Sequence, residues 1–249
     1  MTLEAPEMPA ESAVALDHAG TGAHPFDPRP WEESPAPARV ETAPPTSPYA
    51  PGKRILDIVG VIVLAIVFSP LILAIAILMR GEEGSIIYKH RRVGRDGRSF
   101  ECLKFRTMVP NADQVLRELL ERDPAIKAEW LRDHKLRCDP RVTRVGRFLR
   151  RTSLDELPQL WNVMRGEMSL VGPRPVVREE LLRYGRNVRT YLSAKPGITG
   201  LWQVKGRNDT DYRRRVVLDT YYVRNQGLLL DLYILLRTTQ VVLGGSGAY

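Results

Sequence analysis

Cysteine is nearly absent. Cys102 and Cys138 are the only two in 249 residues, and they lack CxxC spacing, which excludes a disulfide scaffold and a four-ligand zinc site. Histidine is almost as scarce. His18 and His24 fall in a proline-rich stretch, while His90 and His134 stand alone and read as structural or surface residues. Walker A, GxGxxG, HExxH and GxSxG patterns are all missing, so none of the sites those motifs build is available. Acidic residues run short after position 50. The first 50 residues hold two basic side chains (Arg29, Arg39) against eight acidic ones. The remainder carries 35 basic and 21 acidic residues, or +14 of an overall +8, and 30 of the 37 cations are Arg. Such a surface expects anionic partners: phosphate, nucleic acid or anionic lipid.

One segment contains no charge at all. Residues 58–79 read IVGVIVLAIVFSPLILAIAILM, 22 in a row. At about 1.5 Å per residue, a straight helix of that length crosses a hydrocarbon core of roughly 30 Å. It begins too late for a secretory signal. Ser69-Pro70 interrupts it. Pro70 has no N–H and frees the carbonyl of Ile66, and the Ser69 hydroxyl is placed to satisfy a freed group. Two membrane geometries fit: a kinked full span, or a re-entrant segment that enters and leaves by one face. Positive charge flanks both ends, with Lys53 and Arg54 before and Arg80, Lys89, Arg91 and Arg92 after. Asp57 lies at the first edge, where an unpaired carboxylate is costly, and is expected to pair with an Arg.

The rest of the chain falls into distinct stretches. Residues 1–50, with ten prolines and ten alanines, read as a disordered acidic tail. The stretches 85–90 (SIIYKH) and 99–105 (SFECLKF) flank GRDG and predict a β-hairpin. Helices are expected at 111–121 and 125–134, separated by Asp123-Pro124. Arg141, Arg144, Arg147, Arg150 and Arg151 recur at helical steps. Ser153-Leu-Asp-Glu156 matches a capping box that would start a helix reaching about residue 164. GPRP at 172–175 predicts a rigid loop, followed by a polar helix near 176–191 and a second rigid loop at 195–207. Residues 211–225 and 228–243 read as further helices, the last apolar enough to lie on a membrane or in a core.

Asp155 and Glu156 have a plain structural explanation, since acids in a first helical turn complement the dipole. Their surroundings favour more. Two carboxylates beside several Arg and two Gly/Pro loops form a place for phosphate, and carboxylates tolerate phosphate when a divalent ion stands between them. That combination suggests Mg²⁺ and phosphoryl transfer, and a carboxylate can itself be the nucleophile.

The string RRTSLDELPQLWNVMRGEMSLVGPRP, with KFRTM before it and KPGITGLWQVKGR after it, resembles the bacterial sugar transferases, the monotopic phosphoglycosyl transferases. The resemblance runs from about residue 53 to the C-terminus. It implies an α+β, mostly helical protein in three parts: the tail (1–50), a membrane-embedded helix (51–80) and a catalytic domain (81–249) on the cytoplasmic face of the cell membrane. In that family the Ser69-Pro70 break bends a re-entrant helix, which favours that geometry here. The implied reaction moves a sugar-1-phosphate from a UDP-sugar to polyprenol phosphate, beginning exopolysaccharide or other glycoconjugate assembly. Asp155 occupies the nucleophile position, with Mg²⁺ bridging it to the diphosphate, and Glu156 is its dyad partner. Arg150, Arg174 and Arg207 fall at anion-holding positions, with Lys104 and Arg106 as weaker candidates. Larger members carry four more spanning helices and another domain, so this chain reads as a small form. The competing readings are a catalytically silent anchor of an assembly complex and a membrane-tethered nucleic-acid binder. No recognition motif supports the latter, and the acid pair would repel a backbone. Membrane lipid is an expected partner, nucleic acid is not, and a homo-oligomer is left open.

Overall fold

The computed structural model describes residues 49–81, 84–133, 136, 138–205 and 212–243. The acidic tail, apart from Tyr49 and Ala50, lies outside these residues, as do His134 and Arg207. The described part is mostly helical, with two small sheets.

Helix α1 (Ala50–Leu78) runs through the apolar segment without a break in assignment. Pro70 lies inside it, and the Ser69 hydroxyl donates to the carbonyl of Ile66 at 2.9 Å. That carbonyl is the one whose ordinary partner would be the N–H that proline lacks. The stretch Pro51–Gly81 is long and apolar enough to cross a membrane, and only 11% of its most apolar window is buried. A core helix of a water-soluble protein would be covered, so the exposure points to membrane association.

The N-terminal end of α1 is tied down by charge. Asp57 is buried, and its Oδ1 accepts from the Ser169 hydroxyl and the Leu170 N–H, both at 2.8 Å. This corrects the expected Arg partner: a neutral hydroxyl and a main-chain N–H satisfy the carboxylate. Arg54 donates to the carbonyls of Val163 and Met164, and Lys53 pairs with Asp231 at 2.6 Å. Farther along, Val61 packs with Leu170 and Val163, whereas Ile75 and Met79 are buried with Phe105 and Leu149.

Strands β1 (Ile87–Val93) and β2 (Ser99–Phe105) form the expected hairpin, pairing Tyr88 with Lys104, His90 with Cys102 and Arg92 with Phe100. Helices α2 (Ala112–Arg122) and α3 (Pro124–Asp133) follow close to the expected limits. Helix α4 (Arg144–Thr152) begins where the Thr143 side chain accepts from the Gly146 N–H. Arg141 is not on that helix; it forks onto Asp139 at 2.7–2.8 Å.

The capping box does not form. Ser153 adopts a left-handed backbone (φ +58°), closes α4, and makes no side-chain cap. A 3₁₀ turn over Leu154–Glu156 comes next, and helix α5 (Gln159–Met164) starts only after Pro158. Strand β3 (Ser169–Val171) precedes the GPRP loop. The helix expected near 176–191 is instead a 3₁₀ stretch over Glu179–Asn187, broken at Gly185, plus the short α6 (Val188–Leu192). The second rigid loop contains strand β4 (Gly197–Thr199) and helix α7 (Leu201–Lys205). Helices α8 (Tyr212–Arg224) and α9 (Leu228–Leu243) complete the described chain.

The pair β3–β4 is parallel, with Ser169 opposite Gly197 and Val171 opposite Thr199. It went unread in the sequence because three residues carry no usable alternation. Its backbones approach closely at Gly172, whose N–H donates to Thr199 while the Gly197 N–H donates to Pro173. A Cβ on Gly172 would meet the carbonyl oxygen of Lys195 at 2.5 Å and the nitrogen of Gly197 at 2.6 Å. Gly172→Ala is therefore expected to destabilise the fold by roughly 1–3 kcal/mol. Thermal unfolding in detergent would read the loss, and an unchanged midpoint would contradict the packing.

Candidate functional site

A cavity of about 410 Å³ opens where the hairpin, the 3₁₀ turn, the GPRP loop, α1 and α9 meet. Asp155 and Glu156 line it, together with Lys104, Arg150, Arg174 and Arg92. Four cations thus face two carboxylates, a surplus of positive charge suited to a diphosphate.

The left-handed corner at Ser153 turns the chain sharply out of α4, so Arg150 and Asp155 both reach the cavity. Buried Asn162 then fixes the segment to β2. Its side chain accepts from the Leu103 N–H at 3.0 Å and donates to the Glu101 carbonyl and to Glu167, each at 2.7 Å. These bonds hold α5, and the turn before it, against the strand that carries Lys104. Lys104 Nζ lies 2.7 Å from Glu156 and 3.9 Å from Asp155. The hairpin lysine, a weaker candidate by sequence, is therefore in direct contact with the dyad.

Burial raises the Asp155 carboxyl to about 6, with Glu156 adding to the rise and Lys104 and Arg150 opposing it. Burial alone would lower Lys104, but the charges of Glu156 and Asp155 outweigh it and raise the ammonium above its usual range. Arg150 is lowered by burial, against the pull of Asp155. Its Nε donates to the Thr107 hydroxyl at 2.8 Å, which aims the guanidinium. Arg174 lies over the Trp202 ring at 5.7 Å, and Arg215 lies over the same ring at 4.2 Å. The Tyr191 hydroxyl donates to the Arg174 carbonyl at 2.9 Å and so clamps the GPRP loop.

Asp155, Glu156, Arg150, Arg174 and Lys104 are brought together, while Arg207 lies outside the described residues. Arg106 does not line the cavity; its guanidinium sits against Gly84. Ser69 and Pro70 directly follow Phe68, which does line it. Arg92 was missed. It pairs with Glu180 at 3.3 Å, and burial lowers it, with Arg174 adding to the effect. The hairpin register holds the signal that finds it, because the face bearing Lys104 and Cys102 carries His90 and Arg92 across the strands. His90 is structural. Burial and the neighbouring Arg92 push it down to about 4, and its Nδ1 lies 3.1 Å from an Arg92 nitrogen.

Among the described residues, no group of three or more His, Cys, Asp or Glu side chains could hold a metal alone. The donor set still fits a magnesium ion, which takes one or two carboxylates and completes its shell with substrate phosphates and water. Asp155 offers such a carboxylate on the cavity wall, with Glu156 beside it.

A carboxylate pair thus stands in a cation-lined cavity beside a helix long and apolar enough to cross a membrane. The chain belongs to the bacterial sugar transferase family, whose sequence profile matches residues 49–245. It is 55% identical over 197 residues to the UDP-galactose-lipid carrier transferase of Erwinia amylovora, and 56% identical over 197 residues to the undecaprenyl-phosphate galactose phosphotransferase of Salmonella typhimurium. Each match covers 79% of this chain but only 41% of the relative, so the chain spans about two-fifths of their length. The exopolysaccharide production protein ExoY of Rhizobium meliloti is 50% identical over 198 residues, covering 79% of this chain and 88% of that protein.

If Asp155 must be ionised to react, kcat/KM for the donor should rise through about pH 6 and level off above it. Lys104 holds the carboxyl down, so Lys104→Met should move the acidic limb to higher pH. A limb that stays in place, or moves lower, would exclude this electrostatic role.

Proposed function

We propose that this protein transfers a sugar-1-phosphate from a UDP-sugar to undecaprenyl phosphate, the first membrane step of exopolysaccharide assembly. The observation that carries the reading is Asp155. It is a buried carboxylate in a cation-rich cavity, and two of the cavity's walls come from apolar helices. The names of the relatives, which specify a UDP-sugar and an undecaprenyl phosphate, support the choice of substrates.

Ionised Asp155 attacks the sugar-bearing phosphorus of the donor. The new bond joins Oδ to phosphorus, the diphosphate bond breaks, and its electron pair leaves with UMP. A phosphate oxygen of the lipid acceptor then attacks the same phosphorus. Lipid diphosphate-sugar forms, and the carboxylate is regenerated. Arg150 and Arg174 hold phosphate oxygens where charge develops. Glu156 fixes Lys104, which keeps Asp155 ionised at neutral pH. Arg207 is a further anion-holding candidate by its position in the sequence alone. Asp155 is the residue that would hold a magnesium ion, which would supply further positive charge at the phosphate.

Helix α1 is read as re-entrant. Lys53, Arg54 and Asp57 bind the globular part at one end, and Ile75 and Met79 pack onto it at the other. Contact of both ends with the globular part supports a placement of both on one membrane face. The excess of Lys and Arg favours the cytoplasmic side, where the disposition of the three parts is tail, membrane helix and catalytic domain.

Donor alone should add the mass of a sugar phosphate to the intact protein and release one UMP per chain. Asp155→Asn should abolish both the adduct and turnover with undecaprenyl phosphate. Turnover without any adduct would refute the covalent step. For topology, Gly52→Cys and Gly81→Cys in a Cys138→Ser background should react with an impermeant maleimide from the same side of sealed vesicles. Labelling from opposite sides would establish a full span instead.

A further inference from the structure

Two walls of the cavity differ from the rest. The charged groups come from the hairpin, α4, the 3₁₀ turn and the GPRP loop. Leu64 and Phe68 come from α1, and Leu235, Thr238 and Val241 come from α9. The α1 pair is one helical turn apart, and the α9 set recurs every three residues, so each presents one face.

The outward side of α9 bares leucines over its first turns, with Leu229 84% exposed and Leu236 67% exposed, and then turns polar at Arg237 and Gln240. A helix that is apolar toward a cavity and carries bare leucines beside polar residues on its outside suits a lipid boundary. The two helices share an anchor. Asp231, near the start of α9, takes Lys53 at 2.6 Å and the Tyr49 hydroxyl at 2.9 Å, both at the start of α1. The Thr199 and Thr238 hydroxyls, 2.7 Å apart, pin α9 to β4 farther on. From their common base, both helices reach the cavity at residues well beyond it.

We infer that α9 and α1 are the two sides of a passage for the isoprenoid chain of the lipid acceptor, with Leu235, Thr238 and Val241 as the α9 contact. The inference rests on the reading of the site as one that takes a lipid phosphate. An uncharged chain gains by staying in apolar surroundings while its phosphate meets Asp155. A nucleotide sugar has no part that needs such a wall. Changes on the cavity face of α9 should therefore affect the second half-reaction and spare the first.

The test uses the full chain in lipid nanodiscs. Val241→Trp narrows the passage near its outer end. Adduct formation from UDP-sugar alone should stay within about twofold of wild type, while KM for undecaprenyl phosphate rises about tenfold. With a short isoprenyl phosphate the variant should match wild type. An unchanged KM for undecaprenyl phosphate, or an equal loss with both acceptors, overturns the role of α9. A second measurement needs no variant. A photoreactive undecaprenyl phosphate with its diazirine on the chain should label peptides from α9 as well as α1, and excess unlabelled acceptor should suppress that labelling. Labelling confined to α1 refutes the passage. A wild-type protein that forms adduct but uses neither acceptor refutes the acceptor assignment itself, a distinct result.

Discussion

The site depends on a carboxylate removed from water and only partly repaid for it. Asp155 is nine-tenths buried, and burial outweighs the help of Lys104 and Arg150, so its carboxyl rises to about 6. A fully neutralised carboxylate would be a poor nucleophile and would bind no ion, whereas an isolated one would stay protonated. The balance leaves the group ionised at neutral pH and facing the cavity's cations. Every nearby element serves that balance. Asn162 holds the turn to β2, β2 brings Lys104, Thr107 aims Arg150, and Tyr191 clamps the loop of Arg174.

The second constraint is that an apolar helix must be joined to a highly charged body. The joint is polar at one end and apolar at the other. Asp57, Arg54 and Lys53 bury their charges or donors against defined partners, whereas Ile75 and Met79 use packing alone. Breaking a buried pair such as Lys53–Asp231 leaves an unpaired charge, which costs more than the pair contributes. The polar end therefore sets the position of α1, and through it the position of Leu64 and Phe68 at the cavity.

Much of this was legible in local sequence. The apolar run defined α1, and the Ser69 hydroxyl does what the adjacent proline requires. Strand β2 and helix α9 have the limits the sequence suggests, while β1 runs three residues past His90, to Val93. The failures have a common cause: partners that lie far away in sequence. Ser153 with Glu156 has the spacing of a capping box, but the segment must turn a corner to meet β2, and a left-handed serine makes it at a backbone cost of roughly 1–2 kcal/mol. The β3–β4 pair joins residues either side of a long connection, each too short to show a period. Asp57 has a hydroxyl and an N–H for partners, 112 and 113 positions away respectively, and no local pattern could name them.

That separation bears on biosynthesis. Helix α1 leaves the ribosome before its polar partners do: Asp57 waits for Ser169 and Leu170, and Lys53 waits for Asp231, 178 residues later. Until those residues emerge, a bare acid and a bare ammonium sit at the base of a segment already drawn to lipid. The nascent chain can therefore dock early but seats itself only after Asp231 has emerged. Non-local closure of this kind is slow, and it makes a truncated product easy to tell from a finished one.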